Sequence, residues 1–296
     1  MASVVNPPTR PGRLLQWLIA AALASCGFAA AGSAQSLPTL RVMQWNIHNA
    51  RGSDGLCNPD RIANTIVAHN PHVVSLNEVK AFAGECSWTF DMSQHLQSLL
   101  QSKTGVTWYC KYIQMSGSKA GNALLSRYPL ASSSSTFLSF DRGVAQIAIV
   151  VNGVTVNLFS THVDYENASW RTTQIDEAIQ WIGTFGEPRI VMGDFNTTPG
   201  TSDYARMATR YQDSWVAAQQ AGAASAYNGT GNTHGGSRFD YAFYSRVGAL
   251  SLQSVSVPDT RVNGVYPSDH DPVVAVFALY GINVAPASPT GLRAIS

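Results

Sequence analysis

The segment between residues 40 and 79 most constrains the fold, because it predicts a strand, a helix and a second strand in direct succession. Residues 40–47 and 73–76 are apolar strand-like runs, and Pro59 stands at the first position of an amphipathic helix. A unit of this length joins two parallel strands, which end on the same side of their sheet. We therefore expect Asn46 and Glu78, at the two strand ends, to lie close together.

The rest of the chain predicts further strands and helices. Asn152 and Gly153 give the strongest short hairpin signal, between apolar runs at 144–151 and 154–160. Other strands are predicted at 106–113, 121–126, 134–140, 190–192, 238–244, 250–257 and 273–279. Other helices are predicted at 89–103, from Ser169 as N-cap to Gly186, and at 203–220 with breaks.

Residues 1–34 predict an export signal that precedes the folded domain. Arg10 and Arg13 stand before an apolar run at 14–24, and a stretch of small residues ends at Ala34. The apolar run is too short and too rich in alanine for a membrane span. The sequence therefore predicts a periplasmic or extracellular protein.

Two ways of processing this signal remain open. Cleavage after Ala34, which we favour, releases the protein, whereas residues 23–26 resemble a bacterial lipobox in which Cys26 is lipidated and anchors the chain to a membrane. The folded domain is predicted at 40–280, and 281–296 is predicted to be a flexible, proline-containing tail.

The charge balance bears on the partners of the mature chain. Of 296 residues, 45% are hydrophobic, which suits one folded domain with a proper core. The formal charge of +1 becomes −1 when Arg10 and Arg13 leave with the signal. A near-neutral protein has no global field for holding nucleic acid, which weighs against tight nonspecific DNA binding.

Three cysteines remain after export: Cys57, Cys86 and Cys110. Oxidising conditions outside the cytoplasm favour one disulfide and one remaining thiol. Cys57 and Cys86 each lie in a glycine-containing loop after a predicted strand, so we predict that they pair. Cys110 lies in an apolar, aromatic run and is predicted to be a small core residue.

Eight polar side chains stand at or just beyond the ends of predicted strands. Any one of them can be structural, as a turn cap, a surface charge or a hydrogen-bonded core histidine, but the set as a whole indicates a site. Carboxylate and amide oxygens without clustered thiolates favour a hard cation, Mg²⁺ or Mn²⁺, over zinc, and Ca²⁺ fits the same chemistry as a structural ion. The eight are Asn46, Glu78, His162, Asp194, Asn196, Asp240, Asp269 and His270.

Seven short motifs follow one another along the chain. They are Trp45-Asn46-Ile47, Leu76-Asn77-Glu78-Val79, Gly121-Asn122-Ala123-Leu124-Leu125-Ser126-Arg127, Ser160-Thr161-His162, Gly193-Asp194-Phe195-Asn196, Arg238-Phe239-Asp240-Tyr241 and Ser268-Asp269-His270. In kind and order they resemble the endonuclease/exonuclease/phosphatase superfamily, the DNase I-like fold. The resemblance implies an α+β fold, a four-layer α/β/β/α sandwich of two stacked, mostly antiparallel sheets flanked by helices.

The resemblance also implies roles for single residues. Asn46 and Glu78 would hold the catalytic metal, with Asp269 as the second carboxylate on the metal side. Asp194 would position or deprotonate the attacking water, and Asn196 would bond to the phosphate.

Further roles fall on the histidine side of the site. His162 would donate to a phosphate oxygen, and His270 would bond to the phosphate or assist proton transfer. Asp240 would orient His270 through its other ring nitrogen, which fixes the tautomer of the ring. Arg142 and Asn122 are weaker candidates for contact with the phosphate.

The sequence thus predicts an exported, metal-dependent phosphoester hydrolase that acts as a monomer without a stable protein partner. The first expectation is phosphodiester cleavage, with nucleic acid ahead of phospholipid; Tyr165, Trp170 and Tyr266 can stack on a base or simply pack. The DNA-gripping basic loops of repair enzymes are not evident, which leaves DNA in doubt. A phosphomonoesterase, a sphingomyelinase-like lipid phosphodiesterase and a catalytically inactive binding module are the alternatives.

Overall fold

The computed structural model describes residues 38–80, 86, 88–115 and 120–280. The predicted export signal, the alternative anchor Cys26 and the predicted tail at 281–296 lie outside these residues. The helices are α1 Pro59–His69, α2 Met92–Thr104, α3 Ala168–Ile182, α4 Ser202–Arg210 and α5 Ser214–Gln220, with a 3₁₀ turn at His48–Ala50. The strands are β1 Thr39–Asn46, β2 Val73–Val79, β3 Tyr109–Ile113, β4 Gly121–Ser126, β5 Leu130–Leu138, β6 Arg142–Val151, β7 Val154–His162, β8 Arg189–Asp194, β9 Tyr211–Asp213, β10 Ala224–Ala226, β11 Asp240–Ser245, β12 Leu250–Val257 and β13 Val273–Leu279.

The strands form two sheets. Seven strands lie in the order β10-β12-β13-β1-β2-β4-β3, and six in the order β5-β6-β7-β8-β11-β9. Neighbouring strands are parallel at β1–β2, β7–β8 and β10–β12 and antiparallel elsewhere. The predicted fold, two stacked and mostly antiparallel sheets flanked by helices, is confirmed.

Three apolar clusters separate the four layers. The inter-sheet cluster joins β1 and β2 of the first sheet to β6, β7 and β8 of the second. A second cluster packs α1 and α2 against the outer face of the first sheet, and a third packs α3 and α4 against the second. The alternation of β1 explains the layering, since Leu40 and Val42 face the inter-sheet cluster while Met43 and Trp45 face the helices.

Most predicted elements occur with shifted ends. α3 is capped by Asn167, whose side chain accepts from two backbone N–H groups, and not by Ser169; it ends at Gly183 and not at Gly186. The helical segment predicted at 203–220 divides into α4 and α5 around the short strand β9, because the Asp213 side chain caps a new helix. The three-residue strands β9 and β10 were not predicted, since so short a segment carries too little pattern.

The predicted disulfide between Cys57 and Cys86 is present, with the two Cα atoms 5.7 Å apart. Cys110 is a half-buried free thiol on β3. Burial raises the pKa of Cys110 to about 11, so the thiol stays protonated at neutral pH.

Candidate active site

The candidate site lies at one end of the sandwich, where the inward-facing rows of the strands change from apolar to polar. On β8 the row runs from Ile190 through Met192 to Asp194. β7 runs parallel to β8 with His162 opposite Asp194, and β11 runs antiparallel to it with Asp240 opposite Asp194. The register of three neighbouring strands therefore places these polar side chains next to one another.

Asp194 is the centre of the site and is buried. Its Oδ1 accepts a hydrogen bond from the backbone N of Asn196 at 2.9 Å, and its Oδ2 accepts one from Asn46 Nδ2 at 3.0 Å. Its own backbone N donates to Asn77 Oδ1 at 2.9 Å. Burial raises the pKa of Asp194, and the negative charge of Asp240 raises that pKa further. A carboxylate with a raised pKa can accept a proton near neutral pH.

His270 forms a charge-assisted pair with Asp240. The His270 Nδ1 and Asp240 Oδ2 atoms are 2.7 Å apart, and His270 Nε2 lies 3.8 Å from Asp194 Oδ2. Burial alone would lower the pKa of His270, but the carboxylates of Asp240, Asp194 and Asp269 outweigh it and raise that pKa to about 10. The ring is therefore an imidazolium at neutral pH, with Nε2–H available as a donor.

His162 has the opposite charge state. Asn196 Nδ2 donates to Val163 O at 3.0 Å and lies 3.0 Å from His162 Nε2, so that ring nitrogen is the acceptor and the proton is on Nδ1. Burial lowers the pKa of His162 to about 4, although Asp194, 3.6 Å away, acts against this. The ring is neutral, and the Asn196 amide, which was predicted to bond to phosphate, points into the site.

Asn46 and Glu78 lie together, as the parallel pairing of β1 and β2 predicted. Asn46 Nδ2 donates to Glu78 Oε1 at 2.9 Å, and Asn46 Oδ1 accepts from His48 N at 3.1 Å. Glu78 has a φ of +56°, at a register irregularity between β2 and β4. A left-handed conformation is strained for a non-glycine residue, and here it belongs to a bulge at the cleft.

Asp269 approaches the same end of the cleft from the loop before β13. The Ser268 hydroxyl donates to Asn46 O at 2.8 Å, which ties this loop to the end of β1. Asp269 Oδ1 lies 3.6 Å from His48 Nδ1, and its side chain is partly exposed. Asn46 turns its nitrogen toward Glu78, so among the three predicted metal ligands it is the carboxylates of Glu78 and Asp269, both in the cleft lining, that offer the oxygen ligands a hard divalent cation prefers.

The site opens into a cleft of about 680 Å³. Its lining includes the carboxylates of Glu78 and Asp269 and the rings of His162 and His270. Tyr165 and Trp170 form part of one wall. Arg142 lies at the cleft, nearly buried, with its Nη2 3.4 Å from Asp164 Oδ2. Its Nε is buried and has no hydrogen-bond partner among the described residues, while its positive charge lies at the cleft.

A layer of buried, hydrogen-bonded polar side chains lies beneath the site, and most of its members were not predicted from the sequence. Gln44 Nε2 donates to Asn77 Oδ1 at 2.6 Å, and Ser75 Oγ lies within 2.6 Å of Gln44 Oε1 and 2.8 Å of Ser160 Oγ. Asn77 Nδ2 donates to Asn122 Oδ1 at 2.8 Å, so Asn122 lies in this supporting layer and not in the cleft lining. The inward position of polar residues on buried strands is the signal that could have found it.

His234 is a second residue to which the sequence assigned no role. Its ring stacks on that of His270, with centroids 4.3 Å apart and planes 16° apart. Its Nδ1 lies 2.9 Å from the backbone oxygen of Asp269. Ligand atoms of these three residues lie within 4.8 Å of one another. The loop that contains His234 thus places it beside both His270 and Asp269.

The two-sheet sandwich and its polar end define the class of DNase I-like phosphoester hydrolases. The chain belongs to the endonuclease/exonuclease/phosphatase family, because the model of that family matches residues 43–270. The predicted family and the predicted enzyme class, hydrolases of phosphate esters, are confirmed. A sequence search of curated proteins gave no match.

Solved structures agree on the fold. An endonuclease/exonuclease/phosphatase from Bacteroides vulgatus is 18% identical, with a TM-score of 0.67 over 82% of this chain and 100% of that one. The human nocturnin catalytic domain with bound sulfate is 23% identical, with a TM-score of 0.64 over 82% and 94%. A mannosyl-6-phosphatase from Bacteroides thetaiotaomicron is 18% identical, with a TM-score of 0.62 over 81% and 100%.

Proposed function

We propose that this phosphoester hydrolase is an exported, divalent-metal-dependent phosphodiesterase. The observation that carries the proposal is the charge pattern around Asp194. A buried carboxylate with a raised pKa lies between a charged His270 and a neutral His162, at an open cleft. Groups whose surroundings push their pKa values apart are suited to separate acid and base roles.

The residues of the cleft supply positive charge for the phosphate and a proton acceptor for the attacking water. Phosphate esters are anionic and repel nucleophiles, so the site must supply positive charge and align water with the leaving oxygen. His270 Nε2–H and the Arg142 guanidinium, both at the cleft, donate to phosphate oxygens. Asp194 accepts the proton of the attacking water. Asn196 holds both His162 and Asp194 in place, and the neutral His162 ring lines the cleft beside them.

Glu78 and Asp269, with Asn46 beside them, would hold the divalent cation. Bound Mg²⁺ or Mn²⁺ supplies Lewis acidity and neutralises charge on the phosphate. Asn46 Nδ2 lies 2.9 Å from a Glu78 oxygen and 3.0 Å from an Asp194 oxygen. These two hydrogen bonds fix the position of Asp194, the proton acceptor, relative to Glu78, the proposed cation ligand.

The shape of the cleft supports a diester as substrate. Tyr165 and Trp170 line the cleft, and a second cavity shares His234 and Asp269 with it, which leaves room for two substituents on the phosphate. Nucleic acid is the first expectation from the sequence, but in the cleft lining the acids outnumber the bases, with Glu78, Asp164, Glu166, Asp194 and Asp269 against Lys80, Arg142 and the charged His270. This acidity favours a small diester over a long polyanion.

A phosphomonoesterase is the second candidate. The acidic lining suits any small ester, and one protein of this fold bears the name mannosyl-6-phosphatase. No feature of the described residues specifically favours a lipid phosphodiesterase or an inactive binding module.

Hydrolysis of bis-p-nitrophenyl phosphate tests the proposal. Activity is expected with Mg²⁺ or Mn²⁺, and EDTA should remove it. His270→Ala should lower kcat by about 10²–10⁴-fold, since it removes a charged donor at the phosphate. Asp176→Asn, at an exposed ion pair with Arg206, is the control and should have full activity. Faster turnover of p-nitrophenyl phosphate would favour phosphomonoesterase activity over phosphodiesterase activity. The absence of hydrolysis with every divalent ion would refute the proposed catalytic activity.

Export is the second part of the proposal. The Cys57–Cys86 disulfide is typical of proteins in oxidising compartments. Within the described ranges, no helix has both the length and the apolar character needed to cross a membrane. The intact mass of protein purified from its native host decides between the two predicted forms. A chain that begins at Gln35 supports release, a lipidated chain that begins at Cys26 supports anchoring, and an uncleaved chain in the cytoplasm contradicts export.

A further inference from the structure

A second cavity of about 370 Å³ adjoins the catalytic cleft, and the two share His234 and Asp269 in their walls. We call this cavity the side bay. Its main lining residues are Tyr227, Asn232, His234, Tyr266, Asp269 and Asp271. A group attached to a phosphate in the cleft reaches the side bay past the two shared residues.

Asp271 lines the side bay, and one of its two carboxylate oxygens is buried without a donor among the described residues. Its side chain is 9% exposed, and its Oδ2 accepts a hydrogen bond from the Tyr227 hydroxyl at 2.8 Å. Its Oδ1 is buried and has no partner in the part of the chain that the structure describes. The backbone N of Asp271 donates to Thr233 O at 2.7 Å, which fixes the residue in position. A buried polar atom normally has a partner, so Oδ1 indicates a ligand that donates a hydrogen bond.

The walls of the side bay are held by their own hydrogen bonds. Tyr266 and Ser53 exchange two of them, from Tyr266 N to Ser53 Oγ at 3.0 Å and from Ser53 N to Tyr266 O at 2.9 Å. On the opposite wall, Asn228 Nδ2 donates to Asn232 O at 2.8 Å, and Asn232 Nδ2 donates to Gly236 O at 2.7 Å. The side bay is therefore a preformed cavity, as ligand sites usually are.

The charges around the side bay select a neutral ligand. The carboxylates of Asp269 and Asp271 repel an anionic group such as a second phosphate. The Arg261 guanidinium, which is paired with Asp259, lies 5.7 Å from the ring centroid of Tyr227 and 5.4 Å from that of Tyr266, so it already holds the position over those rings where a cationic group would stack. A neutral group with several hydroxyl donors satisfies both conditions.

We propose that the side bay binds the hydroxylated alcohol portion of the substrate, so that the preferred substrates are phosphate esters of a sugar or polyol. This inference rests on the proposed function. One hydroxyl donates to Asp271 Oδ1, and the apolar face of the sugar ring or polyol chain packs on the rings of Tyr227 and Tyr266. Asp271 then determines specificity, and the chemistry stays with the cleft.

Four p-nitrophenyl phosphodiesters that share one leaving group provide the test, because they differ only in the second alcohol: glucose linked through O6, ethanol, choline or thymidine. The glucose ester should have a kcat/KM at least about tenfold above that of the ethyl ester, since it satisfies a buried charged acceptor. Asp271→Asn and Tyr266→Ala should each reduce this glucose-to-ethyl ratio about tenfold, and Asp176→Asn should leave it unchanged.

A binding measurement is independent of turnover. In calorimetry, glucose 6-phosphate should bind the wild-type protein at least about tenfold more tightly than ethyl phosphate, and Asp271→Asn should remove that advantage. Thermal melts establish whether each variant is folded. If Asp271→Asn does not fold, Tyr266→Ala replaces it in the binding comparison. Equal ratios in all variants, or a preference for the choline or thymidine ester, overturn the side-bay assignment and leave the hydrolase standing. Hydrolysis of none of the esters refutes the proposed function, while calorimetry still decides the assignment of the side bay.

Discussion

At the residue scale, His162 and His270 share Asp194 and yet differ in charge. Their environments explain the difference, since His270 is paired with Asp240 through Nδ1, whereas His162 accepts a hydrogen bond from an uncharged amide. Burial dominates for His162, and carboxylates dominate for His270. Both rings lie near Asp194, His162 through the register of β7 with β8 and His270 from the loop before β13, so the second partner of each ring decides its state.

The neutral state of His162 makes stability depend on pH. The pKa of His162 is about 4 in the folded protein and about 6.5 in an unfolded chain, so the unfolded state binds the extra proton as the pH falls. Between pH 6.5 and pH 4, His162 should therefore cost the metal-free protein about 3 kcal/mol of unfolding free energy. Urea unfolding at pH 7 and pH 4.5 measures this loss.

His162→Gln provides the comparison, because glutamine retains an acceptor for Asn196 and does not titrate. The loss of stability between the two pH values should be smaller in this variant than in the wild type. Groups remote from His162 titrate alike in both proteins and cancel in the difference, whereas the pKa of Asp194, which faces His162, changes with it. The same loss in both would show that His162 is not held neutral.

At the element scale, the site arises from strands whose inward rows are apolar at one end and polar at the other. In β2 the row is Val73, Ser75 and Asn77, and β11 starts its row with Asp240. This period of two is visible in the sequence, as are the strand ends, so the polar end of the sandwich could be predicted. The parallel pairing of β1 and β2 likewise predicted that Asn46 meets Glu78.

Other parts of the site could not be read from the sequence, for physical reasons. The bulge that leaves Glu78 at φ +56° depends on the pairing of β2 with β4, which local pattern does not specify. The stacking of His234 on His270 depends on the path of a loop. Asp271 follows the predicted His270 directly, but only the fold shows that it faces a separate cavity.

The supporting layer should couple stability to activity through Asn77. Asn77→Ala removes the partners of Asp194 N, Thr161 O and the Asn122 amide, all of which are buried. Unfolding free energy should fall by about 2–4 kcal/mol, and kcat should fall as well because Asp194 is released. Denaturant unfolding and kcat, measured below the unfolding transition, test both effects.

Asn157 is a matched control, since it is a buried amide near the opposite end of β7. Its Nδ2 donates to Gly186 O at 2.9 Å, and its Oδ1 accepts from Gln146 at 2.9 Å. Asn157→Ala should reduce stability without reducing kcat. If Asn77→Ala left kcat unchanged, the layer would support the fold alone.

At the scale of the whole molecule, the disulfide lies beside the turn that follows β1, close to Asp269, one of the residues proposed to hold the cation. Cys86 Sγ lies 3.4 Å from Asn49 O, and Trp88 Nε1 donates to Asn49 Oδ1 at 3.1 Å. Asn49 belongs to a turn of three consecutive left-handed residues, 48–50, which directly follows β1. The disulfide therefore stabilises the turn that places His48 next to Asp269.

Loss of the disulfide should affect stability and cation binding together. Cys57 and Cys86 are separated by 29 positions, and opening a loop of this size should lower the unfolding free energy of the Cys57→Ser/Cys86→Ser variant by about 3 kcal/mol. The Mg²⁺ concentration for half-maximal activity should rise, because the turn at 48–50, which lies beside Asp269, loses its anchor. Cys110→Ser changes the remaining thiol and should alter neither quantity. If the double variant lost stability but kept its Mg²⁺ dependence, the disulfide would act on the unfolded chain alone, and the link between the oxidising compartment and the active site would be refuted.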